Sequence, residues 1–116
     1  MQNERRRWKR TALLEGCLIF ESEGALGEVF DISEGGIGLQ TIYSLPQTDR
    51  LLQEGLLCCQ GILLEDLTCK IVSSLVLPKD FEFSTVIKRR YGLRFTNLTD
   101  SQKIKLDKIT KICQLS

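Results

Sequence analysis

The sequence predicts a mainly β domain: a basic N-terminal arm, an antiparallel β body and one C-terminal helix that closes it. Three observations point there. Short stretches of strand character, punctuated by glycine, run from Ala12 to about residue 95. One helical pattern with its own start signal follows residue 99. The chain has 116 residues, enough for one hydrophobic core and not for two.

Residues 1–10 are polar and basic. Cys17-Leu18-Ile19-Phe20 reads as a strand, residues 21–27 as a hairpin connection and residues 28–32 as a second strand. Gly35 and Gly36 turn the chain into a third strand over residues 37–42, with Ile37, Leu39 and Thr41 on one face. Residues 44–47 form a loop. Residues 51–64 fit strand or helix, since Gly55 and Gly61 weaken both, and one or two strands are expected. Residues 68–76 alternate as a strand, Pro78-Lys79-Asp80 is a turn, and the segment to Ser84 is irregular. Tyr91-Gly92-Leu93-Arg94-Phe95 is the last strand. Thr99-Asp100-Ser101-Gln102 is a capping box, in which Thr99 and Gln102 satisfy each other's backbone amides. Behind it Leu106, Ile109, Ile112 and Cys113 recur at helical spacing, with Lys103, Lys105, Lys108 and Lys111 on the other faces. The expected helix has about four turns.

Composition narrows the chemistry. Hydrophobic residues make up 42% and charged residues 27%, the balance of an ordinary globular protein. The net charge of +1, from 16 basic and 15 acidic residues, argues against a surface for long nucleic acid. There is no histidine, which removes the commonest general base, the Ser-His and Cys-His pairs and most mixed metal sites. No enzyme, metal site or cofactor is expected. The five cysteines, Cys17, Cys58, Cys59, Cys69 and Cys113, include no Cys-x-x-Cys pair, and Cys58 and Cys59 point to opposite faces of a strand. They are expected to be core thiols in a reducing cytoplasm. The sequence carries no stretch resembling a secretory or transmembrane segment, so a cytoplasmic protein without membrane insertion is expected.

Two motifs carry chemistry. Arg5-Arg6-Arg7-Trp8-Lys9-Arg10 is either a solvated tail or an anion clamp. Arginine donates in a planar fork to phosphate oxygens and to the O6/N7 edge of guanine, and its guanidinium stacks on π faces. Trp8 is suited equally to stacking on a base and to packing on the β body. Asp31-Ile32-Ser33-Glu34-Gly35-Gly36 is a turn in which Asp31 and Ser33 bond neighbouring amides while the glycines take positive φ. The same turn suits a ligand: Asp31 accepts from a base N–H, Ser33 offers a hydroxyl, and Gly35 and Gly36 admit close backbone approach. Lys88-Arg89-Arg90 is a solvated beginning to the last strand or an extension of the positive field around the site, in which Arg94 joins.

Taken together, Arg6-x-x-x-Arg10, one strand, and then Asp31-x-Ser33-x-x-Gly36 resembles the PilZ domain, the bacterial receptor module for cyclic di-GMP. The similarity continues in Gly36-Ile37-Gly38-Leu39, in Tyr91-Gly92-Leu93-Arg94-Phe95 and in the C-terminal helix; residues 44–88 are the least recognisable. The resemblance implies a six- or seven-stranded antiparallel β-barrel with a C-terminal helix, residues 1–11 forming the arm and 12–116 the barrel domain. It implies that Arg6 and Arg10 contact guanine edges and phosphates, that Arg5 serves a second nucleotide, and that Asp31 and Ser33 bond a guanine. It also implies signalling to an effector protein that the sequence does not identify. Two other readings are a PilZ-like interaction domain that does not bind nucleotide and a nucleic-acid-binding barrel. The intact motifs count against the first, the near-neutral charge and few aromatics against the second.

Overall fold

Glycine-punctuated, alternating sequence gives two sets of three consecutive antiparallel strands that join into one closed sheet. In a computed structural model, residues 11–12 and 18–115 are described. The strands are β1 (Thr11–Ala12), β2 (Ile19–Ser22), β3 (Ala25–Ile32), β4 (Gly36–Thr41), β5 (Leu51–Cys59), β6 (Ile62–Val76) and β7 (Arg89–Thr96), followed by helix α1 (Asp100–Leu115). The sheet order is β1-β3-β2-β5-β6-β7-β4, and a further β3–β4 pairing joins its two sides. Strands β2 to β7 thus form a closed, six-stranded antiparallel barrel, which leaves no open edge among them. β1 adds a short seventh strand beside the end of β3.

The turns explain where strand boundaries differ from the sequence expectation. Glu23 and Gly24 both take positive φ (52° and 84°), a two-residue turn whose twist suits a hairpin, so β3 begins at Ala25 rather than at residue 28. Gln60 and Gly61 repeat the device (48° and 86°) between β5 and β6. The ambiguous stretch is therefore two strands, and β6 runs unbroken through residues expected to belong to separate segments. The expected turn at residues 78–80 and irregular segment to Ser84 lie within a longer irregular connection, residues 77–88.

Alternation then fills the barrel. Leu18, Phe20, Ile37, Leu57, Ile71 and Leu93 are among the fully buried side chains, each contributing about 1.5–3 kcal/mol by leaving water. Ile37, Leu39 and Thr41 share the inner face as expected. The capping box forms: Gln102 N donates to Thr99 Oγ1 at 3.1 Å and Thr99 N donates to Gln102 Oε1 at 2.9 Å. Leu106, Ile109 and Cys113 bury the apolar stripe of α1 in the same core, with Ile112 packed beside it. The expected core placement holds for Cys59, Cys69 and Cys113, which are buried, with 3.8 Å between the sulfurs of Cys59 and Cys113. Cys58 departs from it: its side chain takes the opposite, outer face of β5 and is only half-buried. Cys17 lies outside the described residues.

Candidate functional site

The second motif sits where β3 turns into β4. Ser33 N donates to Gly36 O at 2.9 Å, closing the turn. The Ser33 hydroxyl accepts from Gly35 N at 3.2 Å and approaches Gly36 O at 3.4 Å. Phe95 N donates to Gly35 O at 2.9 Å, which ties the turn to β7. Ser33 is buried, 4% exposed, so its first duty is to hold this turn. A hydroxyl has one hydrogen and two lone pairs, and these contacts leave it one acceptor site.

The glycines of the turn do not take positive φ; among the described residues the glycines that do are Gly24 and Gly61. The reason for glycine at position 36 is proximity. A Cβ there would collide with the Leu93 carbonyl of β7, whose neighbour Arg94 is the cross-strand partner of Gly36. The close backbone approach is thus made by the adjoining strand.

A bulge sets the direction of Asp31. Val29 pairs with Leu39 and Asp31 with Gly38, so Phe30 is an extra residue in β3. Strict alternation from the buried Val29 would turn Asp31 inward. The bulge instead puts both Phe30 and Asp31 on the outer face and returns Ile32 to the core. Gly38, opposite Gly92 in β7, lies beneath them. A Cβ at Gly38 would come within 2.5 Å of Asp31 Oδ1 and 2.6 Å of the Phe30 ring. A second irregularity in β6, between Ile71 and Ser73, lays the Ser73 hydroxyl over Gly92 in the same way.

Basic side chains stand beside these glycines. Arg90 and Arg94 project from β7 on either side of Gly92, both exposed, while Tyr91, Leu93 and Phe95 face the core. Lys70 of β6 pairs in register with Arg94 and bonds Asp49 at 3.6 Å. Lys88, just before β7, bonds Asp80 at 2.8 Å. Arg90 is engaged in a way the sequence did not signal: its guanidinium lies over Phe30 and its Nε donates to Gln40.

Arg5, Arg6, Arg10 and Trp8 lie outside the described residues. The residue that follows Arg10 does not: Thr11 pairs with Ile32 and Ala12 with Asp31. The covalent root of the arm is therefore beside Asp31 and the Ser33 turn. Asp31, Ser33, Gly35, Gly36 and Arg94 are brought to one end of the barrel wall, on β3, β4, β7 and the turn between the first two. Among the described residues no cluster of carboxylates and thiols is arranged to hold a metal ion, and no helix is long and apolar enough to cross a membrane.

The family model for the PilZ domain matches residues 4–111. No curated protein matches the chain. Among solved structures, the K. pneumonia MrkH–c-di-GMP complex has a TM-score of 0.76 at 21% identity, covering 97% of this chain and 54% of that one. The PilZ domain of YcgR from Escherichia coli, solved with c-di-GMP, gives 0.75 at 18%, covering 97% and 93%. The Bacillus subtilis inhibitor of motility, MotI/DgrA, gives 0.66 at 19%, covering 96% and 50%. The chain spans about half the length of MrkH and MotI/DgrA and nearly all of the YcgR domain. What these likenesses establish is the fold, a closed barrel with its C-terminal helix.

Proposed function

The chain belongs to the PilZ domain family, and from that premise we propose that it is a cytoplasmic receptor for cyclic di-GMP that signals to an effector protein. The observation that carries the reading is the pairing of Thr11 and Ala12 with Ile32 and Asp31. It joins the arginine arm, through its next residue, to an outward carboxylate and a rigid turn. MrkH and the YcgR domain, which share the fold, were both solved with c-di-GMP.

In this reading Arg6 and Arg10 clamp phosphates and guanine edges, and Arg5 serves a second nucleotide. Asp31 accepts from a guanine N–H, Ser33 uses its remaining lone pair, and Gly35 and Gly36 present backbone at the turn. Arg94 contributes field. The domain acts by binding and has no catalytic step.

The test is calorimetric titration with cyclic di-GMP, with GTP as control. Saturable binding at micromolar concentration or tighter is expected for the protein, and none is measurable for Arg6→Ala or Arg10→Ala at unchanged unfolding midpoint. Retained affinity in both variants would remove the arm from the site. A folded protein that binds no cyclic di-GMP would instead be an interaction domain.

A further inference from the structure

Arg90 is held in a way that neither motif accounts for. It leaves β7 on the outer face, and its guanidinium carbon stands 4.7 Å from the centroid of the Phe30 ring. Its Nε donates to Gln40 Oε1 at 3.0 Å, and Gln40 is its cross-strand partner in β4. A ring on one face and an acceptor at one edge fix both the position and the orientation of the group. An arginine that serves only solubility would be free to swing, and among the described residues Arg90 forms no ion pair that would hold it otherwise.

Phe30 is itself fixed by the β3 bulge, and its ring edge overhangs Gly38. The same glycine lies beneath Asp31 Oδ1. One residue without a side chain thus gathers an aromatic ring and a carboxylate, and Arg90 caps the ring. The face of the guanidinium turned away from Phe30 belongs to an exposed side chain. A planar cation resting on an aromatic ring and open on its other face is suited to stack on a purine. A carboxylate on the same surface is suited to the paired N–H donors at one edge of guanine.

We propose that Arg90 is a stacking residue for a purine base of the cyclic dinucleotide, with Phe30 and Gln40 as the residues that position it. The inference rests on the receptor reading and assigns a residue outside both of its motifs. Stacking depends on the plane of the guanidinium, so charge alone does not substitute for it.

The experiment is calorimetric titration with cyclic di-GMP of the unaltered protein, Arg90→Ala, Arg90→Lys and Gln40→Ala, with unfolding midpoints measured alongside. Arg90→Ala is expected to weaken binding roughly ten- to thirtyfold, inside the range of about fivefold to 150-fold that loss of one base stack gives. Arg90→Lys keeps the charge and is expected to recover less than threefold of that loss. Gln40→Ala frees the guanidinium and is expected to cost a few-fold, about twofold to fivefold, as a lost positioning bond does. Affinity of Arg90→Ala within twofold of the unaltered protein overturns the assignment, and full rescue by lysine overturns stacking as its basis. An unaltered protein that binds no cyclic di-GMP overturns the receptor reading, and this inference with it. Loss of affinity in Arg90→Ala that lysine does not restore, while the unaltered protein binds, supports both.

Discussion

Asp31 reaches the outside of the barrel only because Phe30 is one residue too many for the ladder. The motif Asp31-x-Ser33-x-x-Gly36 is legible as a string, since each residue type has a local reason to be in a turn. The bulge is not legible, because it is a property of two paired strands and leaves no mark in one. For the same reason the sequence gives no sign that Phe30, Gln40 and Arg90 meet, or that Gly36 answers to Leu93 rather than to its own φ. Cys69 shows a single residue whose environment changes its chemistry. It is fully buried on β6, and burial pushes its thiol from 9.0 up to about 12. Between those values the folded chain keeps a proton that the unfolded chain loses, so the stabilisation is complete below pH 9 and falls as pH rises toward 12. At about 1.4 kcal/mol per unit, roughly 2 kcal/mol of stability is expected to disappear between pH 8 and pH 10.5. Urea unfolding at the two pH values checks this, and Cys69→Ala should remove that part of the difference while other groups still titrate.

At the scale of elements, the helix carries the most local signal, together with one contact that is not local. Its start is encoded within four residues, and the two reciprocal bonds form as the capping box requires. What is not local is the second use of Gln102. Its Nε2 donates to Glu65 O at 3.0 Å and to Asp66 O at 3.2 Å, at a point where Asp66 takes a φ of 58°. One side chain therefore caps α1 and fastens it to an irregular stretch of β6. Residues 51–64 were ambiguous for the complementary reason: the positive φ of Gln60 and Gly61 is what separates β5 from β6, and the residue preceding that glycine is not a usual turn former. The two caps should differ in cost. Thr99→Ala is expected to destabilise by about 1 kcal/mol, the usual value for an N-cap. Gln102→Ala removes the reciprocal cap and the attachment to β6 together and is expected to cost more, about 2 kcal/mol. Denaturant midpoints of the two variants decide it, and equal losses would mean that the attachment contributes nothing.

The whole molecule is a closed barrel, and in the proposed reading the ligand chemistry belongs jointly to its wall and to the basic segment that precedes Thr11. Six strands close the barrel, α1 adds its apolar stripe to the core, and β1 fastens the chain just after Arg10 to the end of β3. In the proposed receptor reading, ligand binding orders the arm. Fixing about six residues costs on the order of 6–12 kcal/mol, and micromolar affinity needs about 8 kcal/mol beyond that. Charge-assisted hydrogen bonds contribute about 1.5–3 kcal/mol each, so two or three arginines making two bonds apiece, with stacking and the turn contacts, reach the total, and one arginine does not. Ligand binding and arm ordering are then one event, which is how the bound state would present a new surface to an effector. Limited trypsin digestion tests this on the intact chain. Saturating cyclic di-GMP should slow cleavage within residues 5–10 at least tenfold, roughly the protection expected when opening costs more than 1.4 kcal/mol, while cleavage after Lys79 in the irregular β6–β7 connection proceeds as before. Cleavage of the arm at an unchanged rate, with ligand bound, would mean that the nucleotide is held by the barrel wall alone and that the signal to an effector does not travel through the arm.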